Sequence, residues 1–343
     1  MTDNIYGSLP TFGLQANNQF SDATNWDLAA ELLSRFQHQN KEDITFTSLE
    51  ESQLIALSLL EMEIEKSLNI YENRFSLKYL DGLFYVTYRF WKNHKLPIKN
   101  ATFVDVGCGS LNPFGLSFIY LMLGAKKAIA IDPDSPKNLR QSIANLAKVV
   151  GKTIVNPSKV FGDFRISSQE IIENLSSFDL VTLSEGNLSD DNSKRLNFRQ
   201  ESIFQTTLED AEADVVISNS CLEHISDIDL ACAELARITK KGGYGVHNID
   251  GIDHWSYSNN DHIHSLEFLR IDTIDKMIHE SNRIRPMSFI EIFDRHGFDV
   301  LEINKYGHID VDQELRNSFI EPFRSMPQEY LELTQACFLV QKR

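Results

Sequence analysis

Two regimes of hydrophobic patterning divide the chain. Before residue 97, apolar positions recur at helical spacing. Leu54, Leu57, Leu60 and Ile64 follow Ser48-Leu49-Glu50-Glu51, a stretch with capping-box spacing. A second, aromatic-rich run, "LDGLFYVTYRFWKNHKL", predicts a helix that ends before Pro97. No strand pattern competes there, so residues 1–97 are expected to form a helical N-terminal extension. From residue 101 short apolar runs alternate with amphipathic ones. "TFVDV", "KAIAIDPD", "ADVVISNS" and "GGYGVHNID" read as buried strands. Residues 114–123, "NLRQSIANLAKVV", "DIDLACAELARIT" and "SFIEIFDRHGF" read as helices, and "DVLEINKYG" and "ACFLVQKR" as closing strands. This alternation predicts an α/β domain over residues 98–343: a mostly parallel sheet, helices on both faces, and an antiparallel pair at its C-terminal end. Ligands of such sheets sit at the carboxyl ends of the strands, near the point where strand order reverses.

The third and fourth strands can be drawn in two ways. One takes "VFGDF", with Asp163, and then "SSFDLVTLS". The other takes "LNFRQES", with Glu201, and then "ADVVISNS". "LEH" and "ELARITKKGG" come directly after the second pair, which favours it. Residues 161–194 are then an insertion, expected over the rim of the site.

Charge narrows the partners. With 33 Lys+Arg against 49 Asp+Glu the net charge is −16, and no basic stripe is present. A nucleic-acid backbone or an anionic membrane surface is therefore disfavoured, and a small molecule or a peptide is the expected partner. Cys108, Cys221, Cys232 and Cys337 form no CxxC pair and no Cys/His spacing suited to zinc, so they read as reduced thiols of a cytoplasmic protein. The N-terminus lacks the pattern of a signal peptide, and the longest apolar stretch, "LSFIYLMLGA", is too short to span a bilayer.

The chemistry concentrates in "VDVGCGSLNPFG". Gly107 and Gly109, directly after a strand, allow a tight turn and a close backbone approach to a ligand. Asp132 ends the next strand, placed to accept hydrogen bonds from a ribose diol. A glycine turn plus an acid suits NAD, FAD or S-adenosylmethionine. Two details favour the last. Asp105 would repel a pyrophosphate but welcome an ammonium or sulfonium group, and the third glycine of a pyrophosphate loop is replaced by Ser-Leu-Asn-Pro.

With "NSCLEHISDIDLACAELARITKKGGYGVHNID" added, the chain resembles the class I S-adenosylmethionine-dependent methyltransferases over residues 100–343. In that family "GCG", an acid ending the second strand, "LEH" and "ELARITKKGG" recur in this order. The resemblance implies a Rossmann-like, seven-stranded sheet and S-adenosylmethionine as cofactor. Gly107, Cys108 and Gly109 would form the turn under the methionine part, Asp105 would lie near its amino group, and Asp132 would hold the ribose. Glu201 (or Asp163) would serve the adenine side, with Ser202 and Asn219 also at the pocket.

Methyl transfer is mainly positioning, helped by a base when the acceptor is a hydroxyl. His224, just after the fourth strand, and His254, beyond the fifth, are the candidates; for His224 the alternative is to cap the following helix or pack beneath the cofactor, and for His254 the functional role is catalysis or contact with substrate. Cys221 can be a nucleophile or packing. His262 and His264 alternate, but without an acid cluster of ligand geometry no metal is expected. Tyr88 and Trp91 belong to an aromatic set that forms either helix core or a wall of the acceptor pocket. Arg283 and Arg285 can pair with a substrate carboxylate or fix their own loop to local carbonyls. Residues 251–285 are expected to shape the acceptor pocket. "NSCL" stands where amide- or base-directed methyltransferases often carry (D/N)PP(Y/F), which argues against DNA bases as acceptors. Oxygen, as hydroxyl or carboxylate, is the favoured acceptor atom. An amine nitrogen remains open, as does a non-catalytic, cofactor-binding regulatory role.

Overall fold

The computed structural model describes residues 77–162, 164–257 and 263–343, with the side chains of residues 77–83, 86 and 88 outside that description. All of these residues fall in the second of the two units into which the chain divides, Arg74–Arg343. The expected helix around 54–64 and its capping box lie outside the described residues, as do Asp163 and His262.

Seven strands form one sheet: β1 (Thr102–Val106), β2 (Lys127–Asp132), β3 (Leu196–Gln200), β4 (Ala213–Asn219), β5 (Thr239–Asp250), β6 (Phe298–His308) and β7 (Leu333–Lys342). Their order is β3-β2-β1-β4-β5-β7-β6. β1 to β5 run parallel, and β7 enters antiparallel between β5 and β6. The second of the two strand assignments is the one the chain adopts: "LNFRQ" is β3, whereas "DLVTLS" lies at a short helix, Leu180–Ser184. The central strands are almost wholly buried, because both faces of the sheet are covered.

Strand alternation sorts side chains between two cores. Phe103, Ala128, Ala130, Val215 and Ile217 meet α1 (Leu77–His94), α2 (Gly115–Met122) and α3 (Leu139–Val155) on one face. Val104, Val106, Ile129, Ile131 and Val216 meet α4 (Ile228–Ile238) and α5 (Phe289–Arg295) on the other. α4 shows why it is a helix: Asp227 caps the Leu230 N–H, and Ile228, Ala231, Cys232, Leu235 and Ile238 give it one apolar stripe. A smaller third core, including Leu266, Phe268, Ile278, Phe319 and Phe323, gathers the segments beyond β5 and β6.

α1 belongs to this domain although its residues read as part of the extension. Its Trp91 is 4% exposed and stacks on Tyr120 and Phe103 at 5.2 and 6.1 Å, and Thr87 Oγ1 meets Tyr120 Oη at 2.8 Å. Residues 168–195 form short helices whose Ile171, Leu175, Phe178 and Leu183 join the core around α2 and α3. Asn174 donates to the Met122 carbonyl, and Arg195 to those of Ala125 and Lys126, before β2 begins. These contacts hold Asn174 and Arg195 near the amino end of β2, whereas the Glu185 carbonyl accepts from Arg140 Nε in the first turn of α3.

Candidate functional site

Where β1 to β4 end, a cavity of about 300 Å³ opens between Val106, Gly107, Ile131, Pro133, residues 201–204 and residues 221–226. It lies beside the β1–β4 junction, where the strand order reverses, and its size is at the lower end of small-molecule sites. Gly107 and Gly109 both have positive φ, +70° and +79°. Gly107 is constrained twice, since a Cβ there would run into Cys221 Sγ. Gly107→Ala is accordingly expected to cost about 2–4 kcal/mol from strain plus overpacking, measured by denaturant unfolding.

The Ser-Leu-Asn-Pro continuation is tied outward. The Ser110 carbonyl accepts from the Lys137 N–H, and the Leu111 carbonyl from Ser142 Oγ at the start of α3. The loop thus spans to the next crossover before α2 starts. Gly115 has no Cβ, which leaves room for the Asn112 side chain.

Asp132 accepts from the N–H groups of Gly109 (2.9 Å) and Asp134 (3.0 Å), bracing the two loops beside the cavity. Asp105 sits behind the glycine turn, buried. Burial, and then the Asp132 charge, raise its carboxyl to about 7. A cationic ligand group would relieve both penalties. Glu201 and Ser202 line the cavity, although the Glu201 carboxylate also accepts from the Thr207 N–H and Oγ1. Asn219, ending β4, accepts from Asn248 Nδ2, and Tyr306 Oη donates to Asn248 in turn. Cys108 donates its N–H to the Ile131 carbonyl. Burial pushes the thiols of Cys108 and Cys221 up, so neither is a ready nucleophile, and Cys221 packs against Gly107.

His224 lines the cavity, and the His254 ring lies 4.6 Å from it, so the two histidines singled out separately are neighbours. His224 donates Nδ1–H to the Glu280 carbonyl at 2.7 Å, because a carbonyl can only accept. Burial, then the His224 charge, lower His254 to about 4. Asp253, its sequence neighbour, instead meets His279 Nδ1 at 2.7 Å and accepts from the Phe268 and Trp255 N–H groups. Beside the pair, Asp250 accepts from Tyr257 Oη, and its N–H donates to Glu223. Burial raises the Glu223 carboxyl well above its ordinary value.

Four expected acceptor contacts sort differently. Trp91 belongs to the core against Tyr120 and Phe103, and the Tyr88 side chain lies outside the described residues. Arg285 is fully buried and donates to the carbonyls of Gly251, Tyr330, Leu331 and Leu333, which leaves it no role with substrate. Arg283 donates to the carbonyls of Phe268, Ile271 and Asp275 and lies over the Phe323 ring. Of the two alternatives for each arginine, these contacts are those of a side chain that fixes its own loop to local carbonyls. His264 caps the Leu266 N–H. Glu223, Asp250, Tyr257 and Asn282 were not foreseen. Asn282 holds the Leu222 and Ile225 carbonyls and so fixes the turn that presents His224. The "LEH" motif was the available signal for Glu223.

Residues 175–246 match the family described as "Methyltransferase domain". No curated protein matches. Among solved structures, geranyl diphosphate C-methyltransferase from Streptomyces coelicolor A3(2) is 10% identical, with 74% of this chain and 76% of that chain covered and a TM-score of 0.42. The YcgJ protein of Bacillus subtilis is 13% identical, with 77% and 98% covered and a TM-score of 0.39. The [4+2]-cyclase SpnF is 14% identical, with 76% and 80% covered and a TM-score of 0.40. The matched residues carry β3, β4, α4 and most of β5, which form one wall of the cavity and position His224, so over this stretch the chain is similar to methyltransferase domains.

Proposed function

We propose that the chain methylates an oxygen, hydroxyl or carboxylate, of a small molecule or peptide in the cytoplasm. The observation that carries this reading is the His224–His254 pair, 4.6 Å apart, with one ring in the wall of the cofactor cavity. The turn at Gly107 and Gly109 would cradle the methionine part, with Asp105 facing its ammonium and Asp132 the ribose. Pro133, Ile203 and Phe204 offer an apolar slot for a base. When bound, S-adenosylmethionine supplies a methyl carbon whose bond to sulfur breaks, the pair staying on sulfur, as an acceptor lone pair bonds to that carbon. The two imidazoles face the acceptor and orient its oxygen, and the Asp250–Tyr257–Gln335 chain of hydrogen bonds gives the pocket a polar wall. The carboxyls of Glu223 and Asp250 on the same side support a second reading, an amine acceptor.

The test is methyl transfer by the full chain from methyl-labelled S-adenosylmethionine to a panel of hydroxy, carboxy and amino compounds. Label in ethers or esters is the expected result. Label confined to amines would replace the reading with nitrogen transfer. Cofactor binding by calorimetry with no transfer to any class would favour a regulatory role.

A further inference from the structure

Glu223, His224 and His254 each offer one ligand-type atom, and these atoms all lie within 4.8 Å of one another. Glu223 is completely buried. Its Oε1 accepts from the Asp250 N–H, while Oε2 is buried with no hydrogen-bond partner. His254 Nδ1 is likewise buried without one. Buried polar atoms are paired as a rule, so two bare ones on two of three clustered residues need an account. His224 adds a third feature: its Nδ1–H is committed to the Glu280 carbonyl, which places the lone pair on Nε2 and fixes the ring. Ligating histidines are held by such an outer contact.

We propose that Glu223, His224 and His254 bind one divalent transition-metal cation, of the Zn²⁺ or Mn²⁺ kind, whose open positions take the oxygen of the methyl acceptor. Two imidazoles and a carboxylate form a donor set used by zinc and its neighbours when positions are left for substrate. With bonds of roughly 2.1 Å, ligands of one cation stand about 3–4.2 Å apart. The trio therefore closes on an ion with small side-chain adjustments. The other such trio among the described residues, His308, Asp310 and Glu332, does not compare: His308 and Asp310 are exposed and none of the three has a bare buried atom. The ligands come from the loops after β4 and β5, which explains why no short Cys/His spacing announces the site.

The inference rests on the oxygen-transfer reading and deepens it. The imidazoles act as ligands, and a cation-bound hydroxyl gives its proton to solvent water more readily than a free one, keeping the electron pair that forms the new C–O bond. An acceptor with a second oxygen beside the hydroxyl, able to chelate, suits two open positions best.

The experiment uses the tag-free full chain, stripped with chelator and without cofactor. Zn²⁺ is titrated by calorimetry and Mn²⁺ by electron paramagnetic resonance. One equivalent should bind, at least tenfold more weakly in Glu223→Gln, His224→Gln and His254→Gln, and unchanged in His308→Gln. Thermal melts of the same samples identify any variant that has lost its fold, and the wild-type titration decides without them. A wild-type chain that takes up no cation, or one whose affinity none of the three substitutions moves, overturns the proposal. S-adenosylmethionine binding is measured separately: a chain that binds the metal but not the cofactor loses the methyl-transfer reading and keeps the site, and the reverse result does the opposite.

Discussion

Arg285→Ala is expected to lower the unfolding free energy by about 3–5 kcal/mol, the range seen when one side of a buried charged interaction is removed. The guanidinium is fully buried, and among the described residues no carboxylate forms a salt bridge with it, although the Asp250 charge acts on it. It is paired with four main-chain carbonyls, at 2.5 Å to Gly251, 3.0 Å to Leu331 and Leu333, and 3.2 Å to Tyr330. Truncation strands these acceptors and opens a cavity in one step. The carbonyls belong to the exit of β5 and the entrance of β7, so Arg285 closes the sheet at the point where Asp250 and His254 leave it. Lysine cannot repair the site, because its single ammonium lacks the planar fork that reaches carbonyls on two segments. Urea unfolding monitored by far-UV circular dichroism checks this. A loss below about 1 kcal/mol would mean that water takes over the four acceptors.

That arginine also shows where sequence reading stops. "NRIRP" announces two cations in a loop, and a cation in a loop can serve a ligand or the loop itself. Only the arrangement of residues 251 and 330–333, far apart in sequence, settles which. The sheet was legible because its information is local: continuous apolar runs mark buried strands, one-faced runs mark helices, and glycines at a strand end mark a tight turn. "LNFRQ" could be chosen over "VFGDF" only because "LEH" and "ELARITKKGG" fix the positions of β4, α4 and β5. The histidine pair was legible as two loop residues but not as a pair, since 30 positions separate them. Glu223 and Asn282 stayed hidden because their meaning lies in burial and in contacts between loops. The odd continuation of the glycine turn proved to be a tie to α3, through the Ser110 and Leu111 carbonyls.

Asp105→Asn should move stability and cofactor affinity in opposite directions. In the folded chain burial, and then the neighbouring Asp132, raise the Asp105 carboxyl from its ordinary 3.8 to about 7. Linkage sets the sign: between those two values the unfolded chain has released the proton and the folded chain still holds it, so stability falls as pH rises through this window and stays low above it. Asparagine has no proton to release and so escapes that loss. Asp105→Asn is therefore expected to be more stable than wild type at pH 8 and to differ least near pH 4. The proposed placement of Asp105 beside the cofactor's ammonium demands the reverse for binding. There the carboxylate must be ionised, so wild-type affinity for S-adenosylmethionine should weaken as pH falls below about 7, while the asparagine variant shows little pH dependence. At pH 8 the variant should bind roughly 10- to 100-fold more weakly, the value of a charge-assisted contact. Calorimetry at pH 6 and 8, paired with denaturation at the same two values, reads both effects. A variant that binds the cofactor as tightly as wild type at pH 8 would remove Asp105 from the ammonium site, and the glycine turn would then have to hold the methionine part through its backbone alone.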